Sequence, residues 1–291
     1  MWPLSKLMTR KVIITAVITI VCIMRAVPLL AETITWYQPD FPPYVILNGL
    51  EKKFGIDNRI VRFMVDRLPE YSHSAEVANY KRILSNLKKG ESGVITPLFR
   101  TPEREDFVLY TNISSYLVLP NGFIYRKADH PKFIPFILDD GTIDLDALCR
   151  SGQFCIGINS GRSYHGILDD IIKKYRKKKV FFVRSAVDHL GVFKMVANQR
   201  VDAALGFPVE IKYFGYDKDL AFLHVSQMNP YTPVFFGAPR NTFGVNLIKA
   251  LNRILDDKKN RDQFAHYYMY WLDEDMKAEY ERLRLDYYNK R

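Results

Sequence analysis

One arrangement, met twice, limits the folds open to this chain. NYKRILSNLKKG (79–90) carries Tyr80, Ile83, Leu84 and Leu87 on one helical face, stops at Gly90, and leads into the apolar run GVITPLF and a proline-bearing loop. VFKMVANQRVDAALGF (192–207) repeats the plan: a helix, a polar turn at Asn198 and Gln199, an apolar strand, then Pro208. A chain that alternates helix and buried strand in this way favours an α/β protein of two lobes, each a mainly parallel sheet flanked by helices, over an all-helical or all-β fold. Ile56, Ile60, Met64 and Leu68 at four-residue spacing add an earlier helix, with Asp57 or Asn58 as its cap and Pro69 at its end.

The first residues decide the compartment. Arg10 and Lys11 precede the uncharged run Val12 to Met24, which is short for a bilayer span, and Ala31 closes the small-residue segment after it. This is the order of a secretory leader, and we expect cleavage after Ala31. Residues 1–31 hold Lys6, Arg10, Lys11 and Arg25 and no acid, so the net charge of +10 becomes +6 over the remaining 260 residues. A modest basic excess suits anionic ligands. Only Cys149 and Cys155 then remain, in CRSGQFC, and in an oxidising compartment such a pair is expected to form a structural disulfide. The six histidines lack metal-binding spacing, so no metal is expected, and the basic run Lys173 to Lys179 reads as a solvated helix end rather than a nucleic-acid patch.

Two places can hold a ligand. In IGINSGRSYHGILDDIIKKY a strand passes through a glycine-bearing turn into a helix; Ser163 is placed to cap it, with outward amides near Arg162 to Tyr164 that suit an anion. In TPLFRTPERED, Thr101, Pro102 and Glu103 read as N-cap, first helical residue and first-turn acid. Arg104 there is either a solvated charge or a bidentate carboxylate clamp aimed into a cleft.

WYQPDFPPY, the GID helix start, TPLFRTPER, INSGRSY and QRVDAALGFP occur in the order and spacing of the bacterial extracellular solute-binding proteins of family 3, from about Thr33 to Trp271. The resemblance implies a type II periplasmic binding fold, with lobe 1 formed by 32–125 plus 238–291 and lobe 2 by 126–237. It also implies a periplasmic monomer without cofactor or nucleic-acid partner. Such a protein closes on a small solute, an amino acid or organic anion, and hands it to an ABC permease or signals to a membrane receptor. In residue terms it makes Arg104, beside Thr101, the grip on a ligand carboxylate. Phe41 with Tyr44 becomes the aromatic cover, Thr96 a polar group at a strand end, and Arg162 with Ser163 the contact from lobe 2. The sequence departs from the family pattern twice: Phe207 stands where an acid receives the ligand ammonium, and Phe99 where a serine assists the arginine. Glu210, one turn on, is the acid placed to substitute for the first. A standard α-amino acid is therefore a poor fit, and an anionic or aromatic carboxylate a better one. Some relatives of this fold are dehydratases; Glu210 and His165 are the candidate acid and base for such chemistry.

Overall fold

The computed structural model describes residues 31–160, 162–184 and 190–290. The expected leader, apart from Ala31, lies outside them. The four-residue apolar spacing folds as α1 (Ile56–Val65), with Ile56, Ile60 and Met64 all buried. Its N-cap is Gly55, not Asp57 or Asn58: both are turned inward, and Asn58 accepts a hydrogen bond from the backbone N–H of Ile46 at 2.8 Å. The next helix, α2 (Tyr80–Lys88), is capped by the Asn79 side chain, which accepts from the Arg82 amide. It ends before Gly90, whose φ of +81° is the left-handed conformation that glycine adopts freely.

Around these helices lie β1 (Thr33–Gln38), β2 (Ser72–Val77) and β3 (Gly93–Leu98), with β1 parallel to both neighbours. After α3 (Pro102–Glu105) come β4 (Val108–Tyr110) and β5 (Tyr116–Val118). The second sheet is made of β6 (Gly122–Arg126), β7 (Ile156–Asn159), β8 (Phe181–Arg184), β9 (Ala203–Gly206) and β10 (Leu220–Leu223), in the order β10-β6-β9-β7-β8. Its helices are α4 (His130–Phe133), α5 (Leu145–Ser151), α6 (Ile167–Tyr175), α7 (Leu190–Ala197) and α8 (Pro208–Tyr213). The chain then returns through β11 (Thr232–Pro239) to the first sheet, order β2-β1-β3-β11-β4 with β5 also on β11, and ends in α9 (Thr242–Asp256), α10 (Lys258–Met269) and α11 (Glu274–Asn289).

Both sheets are parallel where helices connect the strands and antiparallel where the chain enters or leaves, since those strands need no crossover helix. The chain changes sheets between β5 and β6 and again between β10 and β11, so the boundaries expected after 125 and before 238 fall within β6 and β11. Phe207 and Val209, just past β9 of the second sheet, bury into the apolar cluster of the first. The two lobes thus share an apolar contact.

The expected disulfide is not formed: Cys149 and Cys155 are free thiols. Alternation along the second sheet explains it. Cys149, on α5, packs with Ile156 and Ile158 on one face, whereas Cys155 lies with Ile124 and Ala204 on the other. Burial pushes the Cys149 thiol up to about 12, so it stays protonated and unreactive near neutrality. Thiol titration of the denatured protein should give full reactivity at Cys149 and Cys155 without prior reduction, and reductant should leave Tm unchanged.

Asp57 is 1% exposed; its Oδ1 accepts from the Tyr116 hydroxyl at 3.0 Å and its Oδ2 has no partner among the described residues. Burial raises this carboxyl well above the usual carboxylate range, the Tyr116 bond opposing. A raised folded pKa means that the contribution of Asp57 is most favourable below about pH 3.9 and is lost as pH rises through the folded value, at roughly 1.4 kcal/mol for each pH unit between the unfolded and folded values. Asp57→Asn keeps an acceptor for Tyr116 and cannot ionise. Its Tm should gain on the wild type as pH increases from 4 to 7.5, measured by calorimetry at matched pH.

Candidate functional site

The opposing ends of the two sheets bring most of the expected residues together around one cleft. On the first lobe, α3 begins as expected: Thr101 is the N-cap, Pro102 the first helical residue, and the Thr101 carbonyl accepts from the Arg104 and Glu105 amides. The Thr101 side chain makes no capping bond. The two arginines of this stretch then part. Arg100 pairs with Glu105 in solvent. Arg104 instead donates from Nη1 to the Phe99 carbonyl at 2.9 Å, and among the described residues no carboxylate pairs with it.

Thr96, near the end of β3, is 2% exposed and its hydroxyl has no partner among the described residues, but it lines neither cleft cavity. The proline loop before α1 presents Phe41 stacked on Tyr44 at 5.5 Å. Phe207 reaches across from the second lobe and meets both edge-on, at 6.2 and 5.8 Å. Offset and edge-to-face pairs of this kind add to the area they bury.

On the second lobe the structure corrects two expectations. The helix after β7 starts at Ile167 with Gly166 as N-cap, so Ser163 does not cap it. Asp169, in the first turn, folds back instead: it accepts from the Ser163 hydroxyl at 2.6 Å and from the Tyr164 and His165 amides at 2.8 and 3.0 Å. Those amides already serve an internal carboxylate and cannot also hold an external anion. Glu210 is not free either. It is fully buried in a bidentate pair with Arg162, both bonds at 2.9 Å, and also accepts from the Phe207 amide at 2.7 Å. Arg162 donates a further bond to Asn121 and lies against the rings of Tyr164 and Phe207. Burial works against its charge, but the Glu210 carboxylate outweighs that and holds the guanidinium above its ordinary range. The second lobe therefore meets the cleft with a neutralised ion pair.

Two cavities result. An inner one of about 200 Å3 is walled by Phe41, Tyr44, Tyr80, Pro97, Arg162 and Ser163. An outer one of about 430 Å3 reaches Thr101, Asn121, Gln227, Asn229 and Thr232. Phe99, Arg104, Val118, His165 and Phe207 line both, with Phe99 edge-on to His165 at 5.6 Å. Sequence reasoning did not reach Tyr80, which reads as one more apolar helix residue, or Asn121, a lone polar residue before β6. Asp169, the third residue of α6, was the legible signal missed: an acid there can reach back to the turn before its helix.

The sequence model for the bacterial extracellular solute-binding proteins of family 3 matches residues 34–274. The chain belongs to that family. Solved structures agree in fold at low identity. An ancestral cationic amino acid solute-binding protein (AncCDT-1) is 13% identical, with a TM-score of 0.63 over 84% of this chain and 96% of that one. The probable amino-acid ABC transporter extracellular-binding protein ytmK from Bacillus subtilis is 16% identical, with a TM-score of 0.59 over 84% and 99%. The periplasmic VFT2 domain of BvgS from Bordetella pertussis is 16% identical, with a TM-score of 0.55 over 82% and 93%. Comparison with curated proteins finds no match. As in this solute-binding family generally, the architecture is two sheets flanked by helices with a cleft between them; among the described residues no helix is long and apolar enough to cross a membrane, and no cluster of metal-binding side chains occurs.

Proposed function

We propose that this family 3 protein closes its lobes on a small solute that carries a carboxylate and no free ammonium, and presents the closed form to a membrane permease for uptake. Arg104 is the observation that carries the reading. Its guanidinium lines both cavities and its recorded hydrogen bond is to a carbonyl, which leaves donors for a bidentate carboxylate. Thr101 fixes the start of the turn that aims it. Phe41, Tyr44 and Phe207 form the apolar walls, and Ser163 lines the inner cavity from the second lobe. Glu210 acts through Arg162, holding that side of the cleft rigid and neutral. Ligand contacts from both lobes favour the closed population over the open one, which is how a binding event becomes a shape a membrane partner can read.

The expected export leader, with cleavage after Ala31, supports a periplasmic location for this reading. A membrane sensor as the partner, instead of a permease, draws support from the aromatic contacts that already span the cleft and from the likeness to a BvgS domain. An enzymatic reading draws little, because Glu210 is locked in its ion pair and cannot exchange a proton with a substrate without breaking it. A thermal-shift screen of the protein against organic anions and amino acids tests the proposal: anions should raise Tm by mass action and lose that effect in Arg104→Ala. Stabilisation confined to free amino acids, or unchanged in the variant, would count against it.

A further inference from the structure

The geometry points to an Nα-acylated α-carboxylate as the ligand class, either an N-acyl amino acid with an aromatic side chain or the C-terminal residue of a short peptide. This rests on the reading of Arg104 as the carboxylate grip. Among the described residues neither cavity is lined by an aspartate or a glutamate, and Glu210 behind them is already paired, so an ammonium entering the cleft finds no countercharge. Placing a desolvated cation there is unfavourable, whereas a neutral amide in the same place is not.

The two cavities explain what replaces the ammonium. Arg104 lines both, so a carboxylate held there has space on two sides. An α-carbon with three branches matches this junction: carboxylate to Arg104, side chain to one cavity, nitrogen substituent to the other. The inner cavity, about 200 Å3 between Phe41, Tyr44, Tyr80 and Leu98, has a lining that suits an aromatic ring. The outer one, about 430 Å3, is too large for a bare amino group and is edged by Gln227, Asn229 and Thr232. No hydrogen bond to another described residue is recorded for the carboxamides of Gln227 and Asn229, and a carboxamide offers the donor and the acceptor that an amide requires. These residues sit on the segment by which the chain returns between the lobes, so a ligand that fills the outer cavity also bears on the hinge.

Isothermal calorimetry with 3-phenylpropionate, N-acetylphenylalanine and the N-terminally acetylated tripeptide Gly-Gly-Phe tests this, each ligand against the wild type, Arg104→Ala, and the double variant Gln227→Gly with Asn229→Ala. Gln227 holds a φ of 66°, so glycine removes its amide without backbone strain. N-acetylphenylalanine or the tripeptide should bind at least tenfold more tightly than 3-phenylpropionate, and the double variant should remove most of that margin while keeping the wild-type Tm. Whichever of the two binds more tightly identifies the source, acyl amino acid or peptide terminus. If 3-phenylpropionate binds through Arg104 and the acylated ligands gain nothing over it, the carboxylate reading stands and this inference is overturned. A margin that survives the double variant overturns it as well. If none of the three binds, or if Arg104→Ala binds them as the wild type does, the reading of Arg104 falls and the inference with it.

Discussion

Arg104→Ala is expected to raise the Kd for a carboxylate ligand by roughly 10- to 100-fold, the range set by losing a charge-assisted hydrogen-bonded pair of about 1.5–3 kcal/mol. Its Tm without ligand should change little, because the recorded hydrogen bond of that side chain is to one carbonyl, that of Phe99. Arg100, four residues earlier, gives the contrast. It pairs with Glu105 in solvent at the edge of the outer cavity, and its replacement by alanine should alter Kd by less than about fivefold, since exposed pairs contribute under about 1 kcal/mol. Arg104→Lys should recover only part of the affinity, because an ammonium cannot reproduce the planar fork. Calorimetric titration of the three variants with one carboxylate ligand measures all of these effects together.

The largest effect on stability belongs to the Arg162–Glu210 pair. With the two side chains 6% and 0% exposed, removing either partner leaves an uncompensated charge inside the protein. Arg162→Ala or Glu210→Ala should each cost about 3–5 kcal/mol, which for a chain of this size lowers Tm by roughly 10 °C. The double replacement Arg162→Met with Glu210→Leu removes both charges and refills the volume, and should recover most of the loss despite carrying two changes. Thermal unfolding of the two single variants and the double variant measures this. A double variant as unstable as the singles together would mean that the pair is not the unit the geometry describes. Asn121, which accepts from the same guanidinium, should show a smaller loss when replaced by alanine.

These two effects also show what could be read from the residue order and what could not. Helix α1 was legible because Ile56, Ile60 and Met64 repeat at a local period, and the start of α3 because Thr101 and Pro102 are adjacent. Both are properties of neighbouring residues. The pairing of Arg162 with Glu210 spans 48 residues, and no local pattern announces it. Ser163 had the right chemistry for a cap; Asp169 took its hydroxyl because the turn carries His165 and Gly166 at positive φ, which delays the helix start to Ile167. Cys149 and Cys155 are close in sequence, yet they pack into apolar clusters on opposite faces of a sheet. In each case the sequence order brought the right groups to the region, and tertiary packing decided which of them remained available.

A cleft that grips a carboxylate through Arg104, with Glu210 held by Arg162, should accept an organic acid and reject its α-ammonium analogue. Calorimetric titration of the protein with 3-phenylpropionate and with phenylalanine in one buffer at pH 7 tests it most directly, since the two ligands differ only by the α-ammonium. 3-Phenylpropionate should bind at least tenfold more tightly; tighter binding of phenylalanine would overturn this reading of the cleft.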